Sequence, residues 1–231
     1  MKRALFMPGY YDDNLSAERL QRVYEIATPR VRHYLRAELE FVLTRIRPGD
    51  RVLELGCGYG RILGPLAAKA GSVVGIDTAR ASLRMARTTL KETGKCAVAC
   101  MDAVRLGFRD RTFDRVLCIQ NGISAFHVDQ RALIREAIRV TRPGGSALFS
   151  SYAAQFWDDR LEWFRLQAAE GLLGAIDKSR TGNGIIVCHD GFTATTVTPE
   201  QFRALTDDLG YPVRIEEVDG SSLFCEIDVV E

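Results

Sequence analysis

The sequence predicts an α/β fold built on a doubly wound parallel sheet, from three observations. Apolar strand-like runs alternate with amphipathic stretches from about residue 48 to residue 151. Three glycines two apart, Gly56, Gly58 and Gly60, stand directly behind the first of those runs. Turn signals such as Pro48-Gly49-Asp50 and Pro143-Gly144-Gly145 punctuate the alternation. A chain of 231 residues, 46% of them hydrophobic, fills one large domain with a modest insertion.

Helical spacing of Leu20, Val23, Tyr24, Val31, Leu35, Leu39, Val42 and Leu43 places two helices over residues 15 to 46, divided at Pro29. RVLEL then reads as the first strand, RILGPLAAKA as a helix, SVVGID as the second strand, and ARASLRMARTTLKETG as a helix closed by Gly94. CAVACMD and FDRVLCIQN are the third and fourth strands, DQRALIREAIRVT is a helix, and SALFSSYA is the fifth strand. Residues 153 to 183 look helical and aromatic, with Phe156, Trp157, Trp163 and Phe164. In GIIVCHDGFTATTV two β-branched runs flank Asp190-Gly191, which predicts a hairpin with a two-residue turn. Thr198 is a natural N-cap, and Pro199 suits the first position of a helix running to about Gly210. PVRIEEVDG and SSLFCEIDVV close the sheet as an antiparallel pair. The expected organisation is an N-terminal helical segment (1–47), a sheet core (48–152 and 197–231) and an insertion (153–196) after the fifth strand.

Lys and Arg number 31 against 30 Asp and Glu, a formal charge of +1, so no whole-molecule field favours nucleic acid or an anionic membrane as partner. The start, MKRALFMPGYYDD, has too short an apolar stretch for a signal sequence, and no run approaches the roughly 20 residues of a membrane span. A cytoplasmic protein is expected. The six cysteines lie in apolar, strand-like segments, as suits buried thiols in a reducing compartment. Cys96 and Cys100 are four apart but have no second Cys or His pair nearby, so no metal site is expected.

Glycines between a first strand and its helix let the chain bend tightly and let a ligand lie against bare backbone. A dinucleotide site spells G-x-G-x-x-G, whereas this chain has G-x-G-x-G with Glu54 two residues ahead. The further landmarks decide. VLELGCGYG, VVGIDTARASLRMAR, CMDAVRLGF, FDRVLCIQN and VTRPGGSALFS resemble, in order, the motifs of the class I S-adenosylmethionine-dependent methyltransferases over about residues 48 to 151.

The resemblance implies a Rossmann-like sheet of seven strands with the last one antiparallel, S-adenosyl-L-methionine as cofactor and a small-molecule acceptor. It places Gly56, Gly58 and Gly60 against the methionine portion of the cofactor, with Glu54 supporting the loop or the ammonium. Asp77, ending the second strand, accepts the ribose hydroxyls, and Thr78 follows against the adenosine. Asp102 and Ala103 serve the adenine. Gln120 and Asn121 end the fourth strand beside the sulfonium and the substrate. QNGISAFH departs from the Asn/Asp-Pro-Pro-aromatic pattern with which relatives grip amino groups of nucleic-acid bases, which points to small acceptors.

His127, after the fourth strand, is the candidate proton acceptor; its competing role is that of a loop or helix-cap residue. His189, beside the hairpin turn, is a candidate substrate residue, and so are Tyr10 and Tyr11, which either fold over the cofactor or simply pack. His33 belongs to a solvated helix face. The insertion, with two tryptophans, is expected to cap the acceptor site, and a homodimer interface is the competing use of its aromatic surface. Two readings stand against methyl transfer: an NAD-dependent oxidoreductase, and a noncatalytic module that binds S-adenosylmethionine.

Overall fold

In the computed structural model, which describes residues 10, 14–90 and 94–231, the sheet has seven strands in the order β3-β2-β1-β4-β5-β9-β8. They are β1 (Arg51–Leu55), β2 (Ser72–Asp77), β3 (Cys96–Cys100), β4 (Phe113–Cys118), β5 (Thr141–Tyr152), β8 (Val213–Val218) and β9 (Ser222–Val229); β6 (Ile186–Val187) and β7 (Thr193–Ala194) form a separate hairpin. β1 to β5 pair in parallel, and β9 lies antiparallel between β5 and β8. The order turns outward from β1 in one direction and from β4 in the other. Such a switch point opens a crevice at the carboxyl ends of the strands.

The helices are α1 (Glu18–Glu25), α2 (Pro29–Arg45), α3 (Leu63–Lys69), α4 (Arg80–Thr89), α5 (Gly122–Ala125), α6 (Gln130–Val140), α7 (Trp157–Ala169) and α8 (Pro199–Thr206). Strand alternation sends Leu53 and Leu55 to one face, where they meet Leu133, Ile134 and Ala137 of α6 and Phe202 of α8. Val52, Val73, Leu117 and Leu148 face the other way, onto Val42 of α2, Leu66 of α3 and Leu83 of α4. A third apolar cluster lies off the sheet. It joins Val23, Val31, Tyr34 and Leu35 of the N-terminal helices to Phe156, Trp163, Phe164, Ile186 and Phe192 of the insertion.

The capping chemistry at α8 is as expected: Thr198 accepts from the Gln201 amide while the Gln201 side chain takes the Thr198 amide, and Pro199 is the first helical residue. The insertion departs from the expectation in two places. Its helix runs only over α7, because Gly171, with φ of 66°, terminates it. The Gly171 amide donates to the Ala168 carbonyl and the Leu172 amide to that of Gln167, a Schellman closure. The hairpin turn has three residues rather than two. The Cys188 amide donates to Phe192, and Gly191 takes φ of 93° at the third loop position. Asp190 fixes that loop by accepting from the amides of Gly174 (2.6 Å) and Phe192 (3.1 Å).

Candidate active site at the carboxyl edge of the sheet

β1 delivers Glu54 and then bends through Gly56, Gly58 and Gly60, whose φ values of 76°, 52° and 83° lie in the left-handed region. The dihedrals favour glycine at all three, and at the first two a Cβ would also crowd a neighbouring side chain. A Cβ on Gly56 would lie 2.5 Å from the Phe126 ring, and one on Gly58 would lie 2.9 Å from Leu20 of α1. Gly60 instead faces Ala86, Leu90 and Leu63, so it seats the turn against α3 and α4.

Asp77 ends β2, one strand over. Its carboxylate accepts from the amides of Gly58 and Ala79, both at 2.8 Å, and so fixes the glycine turn against the second strand. Thr78 follows, its carbonyl beside the Cys100 thiol at 3.6 Å. The β2–β3 register levels Asp77 with Cys100, so Asp102 sits just past the third strand end, and there it accepts from the Val104 amide at 3.0 Å in an Asx turn. Ala103 is buried beside it.

A cleft beside the turn is lined by Leu20 and Tyr24 of α1, by Glu54, Gly56, Gly58, Tyr59 and Arg61, and by Gln120 past β4. Gln120 and Asn121 both adopt left-handed backbone, φ of 54° and 62°, which is costly for residues with a Cβ and persists only where neighbours impose it. Those neighbours are evident. The Gln120 amide donates to Glu38 of α2 (3.1 Å), its side-chain carbonyl accepts from the Tyr24 hydroxyl (2.8 Å), and Asn121 is held by the Ser151 hydroxyl (2.8 Å) and the Thr195 carbonyl (2.9 Å).

Electrostatically the cleft is dominated by buried carboxyl groups. Burial pushes the Glu54 carboxyl up to about 8 against the pull of Arg61, with Asp77 and Glu38 raising it further. Glu38, fully buried on α2, is pushed up to about 7 by burial, against the lowering effect of its bonds from Ser150 and Gln120. Three buried atoms around the cleft have no hydrogen-bond partner: Oε2 of Glu38, Oε2 of Glu54 and one terminal nitrogen of Arg61, whose guanidinium lies 4.7 Å from the Tyr24 ring centre. Acids and a guanidinium side by side, each with one atom left without a partner, suit a ligand that carries both an ammonium and a carboxylate.

The expected residues thus fall into two groups. Glu54, Gly56, Gly58 and Gln120 share the cleft, Asp77 is bonded into its floor, and Thr78, Asp102 and Ala103 follow the adjoining strand ends. The others lie apart from its lining. Asn121 is buried, with its amide committed to Ser151 and Thr195. His127 is exposed in a left-handed turn (φ 52°) before α6. His189 is exposed in the hairpin loop, and Tyr10 packs edge-on against Phe192 with its hydroxyl 2.5 Å from Asp190. Tyr11 lies outside the described residues. His33 is exposed on α2, 3.0 Å from Asp219. The sequence reading missed Glu38, Arg61, Leu20, Tyr24 and Phe126. One signal was available: Glu38 recurs three residues after Leu35 and four before Val42, on the buried stripe of α2.

Comparison with known proteins agrees with this geometry. Residues 52–145 match the model of a methyltransferase domain family, a span running from the strand before the glycine turn to the start of β5. Over those residues the chain is similar to methyltransferase domains. It is 33% identical over 141 residues to methyltransferase GfsG of Streptomyces halstedii, covering 59% of this chain and 47% of that protein. It is 34% identical over 143 residues to an O-methyltransferase of Pyrenophora dematioidea, covering 59% and 49%. The chain therefore spans about half the length of the curated relatives it matches. A solved SAM-dependent methyltransferase from Methanosarcina mazei superposes with a TM-score of 0.62 at 22% identity, covering 83% of this chain and 98% of the other. The fold of this chain thus has a solved counterpart. Among the described residues no group of His, Cys, Asp and Glu could hold a metal ion, and no helix is long and apolar enough to cross a membrane.

Proposed function

We propose that this protein transfers a methyl group from S-adenosylmethionine to a small-molecule acceptor. The observation that carries the reading is the convergence of the glycine turn, Glu54, Arg61 and Gln120 on one cleft whose floor is bonded to Asp77. Glu54 and Arg61 match the ammonium and carboxylate of the cofactor's amino-acid end. Asp77 stands at the strand end where ribose hydroxyls bind in this fold, and Asp102 with Ala103 edges the adenine position. When bound, the cofactor supplies a methyl on a sulfonium, and an acceptor lone pair displaces it in line while sulfur keeps the bonding electrons.

What the chain must add is orientation and exclusion of water, and orientation alone is worth roughly 7–11 kcal/mol in intramolecular models. The paired left-handed residues Gln120 and Asn121, immobilised from α1, α2, β5 and the segment after β7, offer such a fixed edge. The third apolar cluster supports the insertion as an acceptor cap: Trp163 donates from its indole nitrogen to the Val23 carbonyl (2.9 Å), and Arg19 reaches the carbonyls of Gly171 and Leu172. N-terminal helices and insertion thereby form one cover. His127, exposed and outside the cleft, is given a turn role in this reading. The four buried thiols Cys57, Cys118, Cys188 and Cys225 suit a reducing, cytoplasmic setting.

The test is incubation with methyl-tritiated S-adenosylmethionine and a panel of phenols, catechols, aliphatic alcohols and amines. Label in an extractable product that disappears in Asp77→Ala supports the reading. Cofactor binding with no label transferred to any acceptor class would favour the noncatalytic module.

A further inference from the structure

Two acids with an unpartnered oxygen each are buried at this site, and only one of them belongs to the glycine motif. Val52 faces α2, so by strand alternation Glu54 does too, and Leu148 gives Ser150 the same face; Glu38 bonds to Ser150 of β5 and lies within electrostatic reach of Glu54 of β1. Its Oε1 accepts from Ser150 (2.6 Å) and from the Gln120 amide (3.1 Å), and the Tyr34 hydroxyl also stabilises the charged form, while its Oε2 has no protein donor in good hydrogen-bond geometry although the residue is fully buried. Glu38 lies outside the span matched by the family model and directly behind Gln120, the residue that lines the cleft at the fourth strand end.

Leaving a carboxyl there without a cation is unfavourable unless it stays protonated. The groups that face it are Arg61 from the turn, Glu54 from β1, Tyr24 from α1, Tyr34 from its own helix and Tyr152 from β5. Arg61 is the one cation among them, and it is shared with Glu54. Deepening the proposed function and resting on it, we propose that Glu38 is a specificity-determining acid which selects the positively charged sulfonium cofactor over its neutral-sulfur product. In the free protein the Glu38 carboxyl keeps its proton below neutral pH and titrates around pH 7. A sulfonium placed beside Gln120 favours the carboxylate, and that proton is released to solvent. The product, S-adenosylhomocysteine, keeps the ammonium but has lost the sulfonium charge, so it does not draw that proton off and leaves more readily.

The test needs no acceptor. Calorimetric titration with S-adenosylmethionine and with S-adenosylhomocysteine, from pH 6 to pH 8.5 in buffers of different ionisation enthalpy, reads affinity and proton release together. The preference for S-adenosylmethionine should grow as pH rises, with a fraction of a proton released on its binding near pH 7. In Glu38→Gln, which keeps both acceptor bonds but not the charge, affinity for S-adenosylmethionine at pH 8 should fall roughly tenfold, a size set by a unit charge across a few ångströms of protein. Affinity for S-adenosylhomocysteine should stay within about twofold in the same variant, because the charge it would lose there is not one it engages. If Glu38→Gln does not fold, Glu54→Gln decides: it leaves Glu38 as the one acid of the pair, so the pH-dependent preference must survive in it. A preference unchanged in Glu38→Gln, or abolished in Glu54→Gln, overturns the assignment while leaving the methyltransferase reading intact. Failure of the wild-type protein to bind either compound overturns both.

Discussion

Asp77 does two things with one carboxylate: it fixes the glycine turn by accepting from Gly58 and Ala79, and it presents acidic oxygens at the end of β2. Asp77→Ala should therefore weaken S-adenosylmethionine binding by about two decades, from two bonds to a charged acceptor at roughly 1.5 kcal/mol each. Titration calorimetry on a folded variant checks this, and an unchanged dissociation constant would remove the ribose assignment. Asp77 and the glycines were legible in the sequence because their roles are local: a turn that needs φ above zero, and an acid at a strand end. Glu38, Tyr24 and Arg61 were not, since what makes them site residues is packing between segments up to 112 residues apart, as in the Glu38–Ser150 bond. Asn121 shows the converse. Its place beside the strand end was correctly read, but its side chain is committed inward to Ser151 and Thr195.

Among the elements, the sheet was legible strand by strand except that β5 begins at Thr141 and runs through the Pro143-Gly144-Gly145 expected as a turn, and the insertion was not. The parallel strands are apolar runs bounded by turn residues, which pattern alone marks, whereas the length of α7 depends on the Schellman closure at Gly171 and the hairpin turn on Asp190 reaching back to Gly174. Phe192 ties these pieces together, 1% exposed and packed against Tyr10 and Phe164. Phe192→Ala should cost about 3–5 kcal/mol of unfolding free energy if the cluster cannot collapse around the cavity. A loss below about 1 kcal/mol in denaturant titration would mean that the cover is not cooperative with the rest of the fold. If the cover selects the acceptor, replacing residues 183 to 196 by a short Gly-Ser linker should leave S-adenosylmethionine binding within a few fold while turnover collapses. Ordinary turnover in that variant would assign the insertion elsewhere.

At the scale of the molecule, the buried acids couple stability to pH. Glu38 and Glu54 ordinarily titrate near 4.5, and burial raises them to about 7 and about 8. The folded protein thus holds protons that the unfolded chain has released, so the stability they contribute is full below about 4.5 and is lost as pH rises toward 8. Acids held low by their partners, Glu136 by Arg139 and Asp219 by Arg30 although burial raises it, act in the opposite sense, but only as pH falls below the ordinary carboxylate range. The melting temperature should accordingly decline between pH 5 and pH 8.5, and decline less in Glu54→Gln; a flat or rising profile in the wild-type protein would contradict the burial of these charges. What the cleft at the carboxyl edge binds decides what the molecule does. Melting the protein in parallel with S-adenosylmethionine, S-adenosylhomocysteine and NAD tests this most directly. At a ligand concentration of about 100 times the dissociation constant, stabilisation of about 2.7 kcal/mol, read as a rise of several degrees, is expected with the first two compounds and none with NAD. A shift with NAD alone, or with none of the three, would contradict it.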